Sequence, residues 1–258
     1  MKKLKCILAL SLLLSSPLAL ADEKANTPGD PLEGYNRGAY KVNDRLDRAI
    51  LKPVAQGYVF IMPKIGQKGV HNFFTNLRLI PSFINDVLQG EIIQAASDGW
   101  RFLINSTVGV AGFLDIATYM DLPLHSNDVG LTFAKWGWTQ SSYFVLPFWG
   151  PSTIRDVIGL PFYLFMTVYP YIRPIEYAYG LAALDVIDQR AQFLDLDDVA
   201  KKAAIDPYAF QRDAYLQRRA SLINPNADEE SKDLYDDLDD DDFDDDMDDD
   251  TDDAQKMA

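Results

Sequence analysis

The sequence has little of the chemistry that enzymes and metalloproteins use. Its 258 residues include one cysteine, Cys6, and two histidines, His71 and His125. With its only cysteine so close to the start, the rest of the chain has no disulfide, no thiolate nucleophile and no cysteine metal site. Neither histidine belongs to a zinc motif, and the chain has no Gly-x-Ser-x-Gly elbow and no phosphate-binding glycine loop. The sequence therefore predicts no catalytic residue, no cofactor and no metal site, and we expect the protein not to be an enzyme.

Long apolar runs are also lacking beyond the first 21 residues. The uncharged run at 157–172 has 16 residues and contains Pro161 and Pro170. A membrane-spanning helix needs about 20 apolar residues with an internally hydrogen-bonded backbone, so this run is too short and too broken to span. Residues 136–179 nevertheless hold 13 of the 31 aromatic residues. Such a segment fits helices embedded in one membrane leaflet, and an aromatic-rich core stays open as the alternative.

The first 21 residues have the three parts of a secretory signal peptide in order. A basic start is followed by an apolar stretch and by Ala19-Leu20-Ala21, which predicts cleavage between Ala21 and Asp22. Residues 22–29 then form a linker. Cys6 precedes the apolar stretch, whereas a lipoprotein signal places its cysteine after that stretch. An acyl anchor is therefore doubtful.

The negative charge is concentrated at the end of the chain. The net charge is −15, and residues 227–258 hold 18 of the 39 acidic residues. We expect residues 223–258 to be a disordered, solubilising acidic tail, because like charges repel and apolar residues are few. The alternatives are a weak collector of divalent cations and a tether to a basic partner. The body has no basic excess, so nucleic acid is not an expected partner.

The body, residues 30–222, reads as helices broken by proline and glycine, and the fold is predicted to be all-α. Asp30 and Pro31 have the pattern of a helix cap followed by a first-turn proline. The helix they open carries an apolar stripe and, beside it, a polar stripe that includes Asn36 and Asn43. That polar stripe is either a solvated face or the lining of a polar passage.

A later helix places Ile93, Ala96, Trp100, Leu103 and Thr107 on one face, while Arg101 and Asn105 share a neighbouring face. Arg101 has two readings, a transient phosphate contact or an ion pair with Asp98 or Asp115 that fixes helix packing. The adjacent pair Arg155 and Asp156 is interpreted as fastening a turn.

Several short motifs occur in an order that resembles one known family. They are DPLEGYNR at 30–37, NSTVG at 105–109, GFLDIA at 112–117, DVG at 128–130, GPSTIRD at 150–156, DPY at 206–208 and RDAYLQRR at 212–219. Together they resemble the MlaA family, also called VacJ, of Gram-negative outer membranes. The resemblance covers about residues 30–222, and its strength lies in the ordered set.

The resemblance implies a ring of amphipathic helices in the inner leaflet of the outer membrane, on its periplasmic side, with a polar channel through the ring. It implies removal of mislocalised phospholipid from the outer leaflet, transfer to a periplasmic lipid carrier, and association with a trimeric porin. The alternative is a scaffold without a channel that only recruits a porin or carrier. The candidate lipid-route residues are Asn36, Asn43, Arg101 and Asn105, and the candidate structural residues are Asp30, Pro31, Asp115, Arg155 and Asp156.

Overall fold

The computed structural model describes residues 30–197 and 204–224. The predicted signal peptide with its Ala21–Asp22 cleavage site, the linker at 22–29, and the acidic tail from residue 225 onward lie outside the described residues. The domain boundaries proposed above therefore stay predictions.

The described residues are mostly α-helical, as predicted. The helices are α1 (Glu33–Leu46), α2 (Lys52–Ile61), α3 (Lys64–Gln89), α4 (Ile92–Thr107), α5 (Val129–Lys135), α6 (Ile154–Met166), α7 (Ile175–Gln192) and α8 (Pro207–Ile223). A π-helical turn, Asp47–Leu51, joins α1 to α2. The exception is a small antiparallel hairpin of β1 (Tyr143–Leu146) and β2 (Gly150–Thr153). None of the described helices is both long and apolar enough to cross a membrane.

Helices α3 and α4 form a hairpin that is closed by Gly90. This glycine has φ of 77°, the left-handed conformation that ends helices and that glycine adopts without strain. Pro81 lies inside α3. A proline removes one backbone hydrogen bond, yet its fixed φ suits a helix. The packing of α3 against α4 lets the helix continue through it.

The amphipathic helices turn their polar faces inward. On α4, Ile93 is 90% exposed and Trp100 is 62% exposed, whereas Asp98, Arg101 and Asn105 are buried. The same inversion holds for the described residues as a whole, where 17 polar or charged residues but only 13 apolar ones are buried. A water-soluble domain normally buries its apolar stripes, so this surface is suited to an apolar surrounding.

The aromatic segment at 136–179 also has most of its large side chains on the surface. Nine of its 13 aromatic side chains are exposed, namely Trp136, Trp138, Phe148, Trp149, Phe162, Phe165, Tyr171, Tyr177 and Tyr179. Tyr143 is buried and packs in a small core with Ala39, Val145 and Tyr208. Between the two interpretations of this segment, the exposure favours an aromatic surface over an aromatic core.

Asp30 does not cap α1. The helix begins at Glu33, with Leu32 in the capping position and no side-chain cap, and Pro31 lies in the turn before it. Asp30 is fully buried, and its carboxylate accepts hydrogen bonds from Asn36 Nδ2 at 2.7 Å and from the Tyr208 hydroxyl. These side-chain donors lie in α1 and α8, so Asp30 ties the two helices together instead of starting one.

Candidate functional site

Two cavities of mixed polar and apolar lining lie where the β hairpin meets α5, α6 and α8. The smaller one has a volume of about 230 Å³ and is bordered by Asp128, Gly130, Asp156 and Tyr215, among others. The larger one has a volume of about 710 Å³. Its wall combines hydroxyl and amide side chains, namely Thr139, Gln140, Ser141, Ser142, Thr153 and Asn224, with the apolar side chains of Leu216, Ala220 and Ile223. Arg219 borders both cavities, so they lie on two sides of one side chain.

Arg219, on α8, is held by two carboxylates. Its Nη1 donates to Asp128 Oδ2 at 2.6 Å, and its Nη2 donates to Asp128 Oδ1 at 3.1 Å and to Asp156 Oδ1 at 2.6 Å. Asp128 also caps α5 by accepting from the backbone N–H of Leu131 at 2.9 Å. Tyr215 donates to the second oxygen of Asp156 at 2.7 Å. The cluster therefore joins α5, α6 and α8 at the wall between the cavities.

The charges in this cluster keep one another ionised. Burial raises the pKa of Asp128, but the hydrogen bonds and charge of Arg219 and the backbone donors outweigh it, so the pKa lies below its usual range. Burial lowers the pKa of Arg219, and the two carboxylates more than reverse this. The cluster is therefore a fixed arrangement of ions at neutral pH.

The ion cluster of Asp128, Asp156 and Arg219 is possible because residue 130 is a glycine. A Cβ at Gly130 would lie 1.9 Å from Asp156 Oδ1 and 2.7 Å from Arg219 Nη2. Nearby, a Cβ at Gly159 would lie 3.1 Å from Val129 Cβ. Glycine at these two positions lets α5 and α6 approach closely enough for the ions to meet.

Arg155 places a second buried cation beside the larger cavity. The residue is 1% exposed, and its Nη1 donates to the carbonyls of Trp138 at 2.9 Å and Thr139 at 3.0 Å. Its Nε lies 3.5 Å from Asp156 Oδ1, an ion-pair distance, and makes no hydrogen bond among the described residues. Arg155 and Arg219 thus bring two guanidinium groups to the cavity, and Asp128 and Asp156 balance their charge.

Two of the predicted route residues, Asn36 and Asn43, bind the β hairpin. Asn36 donates to the Tyr143 carbonyl at 3.1 Å and accepts from the Val145 N–H at 2.9 Å. Asn43 donates to the Leu146 carbonyl at 2.9 Å and accepts from the Phe148 N–H at 2.7 Å. The polar stripe of α1 thus faces the hairpin.

The other two, Arg101 and Asn105, meet at Asp115. Arg101 Nη2 donates to both carboxylate oxygens, at 3.0 and 3.1 Å, and Asn105 Nδ2 donates to one of them at 3.0 Å. Asn105 Oδ1 also accepts the N–H groups of Ile116 and Ala117. Of the two ion-pair partners considered for Arg101, the structure has Asp115. None of the four predicted route residues borders either cavity, and their part in a lipid route stays a prediction.

Residues that the sequence analysis left without a role provide much of the cavity wall. Asp128 and Arg219 lie in the motifs at 128–130 and 212–219, and no spacing rule connects two residues 91 positions apart. The Ser and Thr residues at 139–142 have no periodicity that marks them as a wall. A charged residue within the helix does not single out Arg219, because the same helix also carries Arg212, Asp213 and Arg218.

These features define a class of protein: a helical protein with an apolar exterior, a buried polar interior and a cavity bordered by two buried arginines. The MlaA lipoprotein family model matches residues 28–222. The chain belongs to the MlaA family.

Relatives and a solved structure agree with this assignment. Proteins named "Intermembrane phospholipid transport system lipoprotein MlaA" from Shigella flexneri and from Escherichia coli (strain K12) are each 33% identical over 222 residues, which covers 80% of this chain and 87% of theirs. The protein of that name from Haemophilus influenzae is 32% identical, over 79% of this chain and 83% of its own. A structure described as "Structural basis for maintenance of bacterial outer membrane lipid asymmetry" superposes with a TM-score of 0.62 and 30% identity, covering 76% of this chain and 99% of the other.

The comparisons do not support the doubt about an acyl anchor. The family and the relatives above are described as lipoproteins. The lone cysteine, Cys6, lies outside the described residues. Its position before the apolar stretch was the ground for that doubt.

Proposed function

We propose that this protein is the outer-membrane component of a phospholipid transport system that maintains lipid asymmetry. It takes mislocalised phospholipid from the outer leaflet and passes it to a periplasmic lipid carrier, and a trimeric porin holds it in place. It performs no covalent chemistry. The observation that carries the proposal is the inverted polarity, with apolar helix faces outside and polar groups inside, in a chain of the MlaA family.

The inverted polarity fits a protein that lies within one leaflet. Exposed apolar side chains at α2, α3, α4 and α6 include Phe60, Ile65, Ile93 and Phe165. Burying each such side chain in hydrocarbon is worth about 1.5–3 kcal/mol, and no described helix crosses a membrane. The arrangement supports helices embedded at the membrane surface, with the cavities within the protein.

A phospholipid that changes leaflet must move a charged headgroup past hydrocarbon. An unpaired charge at the centre of a bilayer is costly, so the headgroup needs polar contacts on the way while its chains stay in lipid. The cavity of about 710 Å³, with Arg155, Arg219 and its hydroxyl and amide side chains, supplies such contacts. Because both guanidinium groups are already partly bound to protein groups, we expect a passing phosphate to be held weakly and released.

Blocking the cavity tests the proposal. Ala220 is exposed on α8 and borders the larger cavity, whereas Ala214 is exposed on the same helix and borders neither cavity. In cells that lack the chromosomal copy, outer-leaflet phospholipid should rise, as measured with an amine reagent that does not cross the outer membrane. The wild type and Ala214→Trp should restore the low level, and Ala220→Trp should not.

The controls separate transport from recruitment. All variants must reach the outer membrane in equal amounts and co-purify with the porin to the same extent. If Ala220→Trp restores asymmetry fully, the cavity is not the route, and a scaffold that only recruits a porin or carrier explains the phenotype. If deletion leaves the outer leaflet unchanged, the transport function itself is refuted.

A further inference from the structure

Asp86, Asp98 and His125 form a cluster, and none of the three borders either cavity. Asp86 lies near the end of α3, Asp98 lies on α4, and His125 lies in the loop that precedes α5. One ligand-type atom from each of the three lies within 4.8 Å of the other two. Both aspartates are 0% exposed, while the histidine side chain is 33% exposed and gives the cluster access to solvent.

The three side chains have unused polar atoms that point to a missing cation. Asp86 Oδ2, Asp98 Oδ2 and His125 Nδ1 are buried and make no hydrogen bond with any described residue. His125 Nδ1 lies 3.5 Å from Asp86 Oδ1 and 3.9 Å from Asp98 Oδ2, distances too long for good hydrogen bonds. Burial raises the pKa of the Asp86 carboxyl and the negative charge of Asp98 adds to the effect, while the Asn127 donor and the charge of His125 oppose it. The two aspartates in turn raise the pKa of His125. Two buried carboxylates side by side are costly unless positive charge is placed between them.

The remaining oxygens are held in place by amide donors. Asn127 Nδ2 donates to Asp86 Oδ1 at 2.7 Å, and Gln94 Nε2 lies 3.3 Å from Asp98 Oδ1. Gln89 in turn donates to Asn127 Oδ1 at 2.7 Å. Such outer contacts orient the ligands of metal sites and leave one oxygen of each carboxylate free to bind.

We propose that Asp86, Asp98 and His125 bind a divalent transition-metal ion of the zinc type. An imidazole nitrogen with two carboxylate oxygens is a donor set that suits zinc, whereas calcium and magnesium prefer oxygen donors alone. A tetrahedral zinc ion with bonds of about 2.0–2.2 Å keeps its ligand atoms about 3.3–3.6 Å apart, so small side-chain adjustments suffice. The metal would fasten the loop before α5 to the α3–α4 hairpin.

The other histidine of the chain, His71, forms an ordinary hydrogen-bonded pair with a single carboxylate. His71 Nδ1 lies 2.9 Å from Asp188 Oδ2, and the Tyr58 hydroxyl donates to Asp188 Oδ1 at 3.2 Å. Both oxygens of this buried carboxylate are therefore occupied by protein groups, and no second carboxylate from the described residues forms such a cluster with His71. His71→Asn is the matched control for His125→Asn.

Metal binding by the purified full chain tests the proposal. The protein in detergent is stripped with a chelator and titrated with Zn²⁺ by calorimetry in excess Mg²⁺, which occupies all-oxygen sites such as the Asp-rich tail. We expect one saturable equivalent, confirmed by elemental analysis after dialysis. His125→Asn and Asp98→Asn should each weaken it at least tenfold, while His71→Asn should leave it unchanged. Circular dichroism checks that each variant keeps its helical content.

A readout without substitutions covers the case in which a variant does not fold. Zn²⁺ should raise the unfolding midpoint of the wild type, because a ligand that binds only the folded state stabilises it, and Co²⁺ should give a visible absorption band that Zn²⁺ abolishes. The proposal is overturned if the wild type shows no saturable binding. It is also overturned if both folded variants bind as tightly as the wild type. In either case a protonated His125, whose pKa is raised by Asp98 and Asp86, balances one of the two negative charges without a metal.

Discussion

Arg219 on the last helix and Asp128 at the start of α5 form a two-pronged ion pair, with both Nη atoms on the two carboxylate oxygens at 2.6 and 3.1 Å. The pair joins segments 91 residues apart and stands between the two cavities. Asp128 uses the same carboxylate to cap α5. The start of α5, the contact between α5 and α8, and the wall between the cavities therefore all depend on the pair of Arg219 and Asp128.

Removal of Arg219 should destabilise the fold. Arg219→Ala leaves Asp128 without its cation and Asp156 with only the longer contact to Arg155, and loss of one partner of a buried pair costs about 3–5 kcal/mol. Since Asp128 is 37% exposed, we expect a value near the lower end, about 3 kcal/mol. Thermal unfolding in detergent measures it. Arg218→Ala, an exposed neighbour on the same helix, should change stability little, and equal effects of the two variants would contradict the assignment.

Substitution by alanine should have opposite effects on stability at Gly130 and at Gly180. Gly130→Ala places a Cβ 1.9 Å from Asp156 Oδ1, so the ion cluster must shift, and we expect a loss of about 1–3 kcal/mol. Gly180, inside α7, has open space around the corresponding position. Gly180→Ala should stabilise by about 0.5–1 kcal/mol, because alanine restricts the unfolded chain and favours the helix. Unfolding curves of both variants and the wild type measure the two changes in the free energy of unfolding. If both variants are stabilised or both are destabilised, the packing argument is refuted.

Because of Asp115, the free energy of unfolding should depend on pH in the acid range. Burial raises the pKa of Asp115, but donors from Thr118 and Asn105 and the charge of Arg101 lower it overall. A folded pKa below the unfolded value of about 3.9 contributes stability above that pH, and this contribution is lost as pH falls through the folded pKa.

The variant Asp115→Asn isolates this contribution. It should be less stable than the wild type by about 3 kcal/mol at pH 7, because Arg101 stays buried without its counter-ion. The difference should shrink from about pH 4 downward. Asp121→Asn, an exposed residue six positions later, serves as the control. A difference that stays constant down to pH 2 would show that the ionised form of Asp115 is not what stabilises the fold.

The sequence predicted helices better than it predicted which way they face. Asp206 and Pro207 open α8, with Asp206 accepting the N–H groups of Tyr208 and Ala209. A capping residue followed by proline is a local pattern that a sequence shows directly. The stripe of Ile93 and Trp100 was found by spacing alone, but its outward orientation depends on the surroundings of the protein, which no periodicity encodes. The spacing also could not decide whether Asn36 is a solvated residue or lines a passage. In the structure, Asn36 binds the backbone of a hairpin that the sequence did not predict.

Asn43 should hold the hairpin turn. Its side chain bonds the Leu146 carbonyl and the Phe148 N–H, and Phe148 has φ of 69°, a conformation that costs a non-glycine residue energy. Asn43→Leu leaves both groups unpaired, and we expect a loss of about 1–3 kcal/mol. Hydrogen exchange at the Phe148 amide should accelerate, while exchange in α4 stays slow. If exchange is unchanged but lipid asymmetry is lost, Asn43 acts in the lipid route instead.

Exposed apolar side chains should govern membrane binding without governing folding. Phe60 and Ile65 are 90% and 89% exposed on neighbouring helices, so replacing both with serine removes little packing. Each loses about 1.5–3 kcal/mol of transfer free energy into hydrocarbon, and we expect the double variant to bind phospholipid vesicles at least a hundredfold more weakly. Lys68→Ser, an exposed position on the same helix as Ile65, should lose far less. Vesicle flotation measures the binding and circular dichroism the fold. Undiminished binding by the folded double variant would show that this surface faces water or a protein partner, and the leaflet-embedded arrangement would need another attachment face.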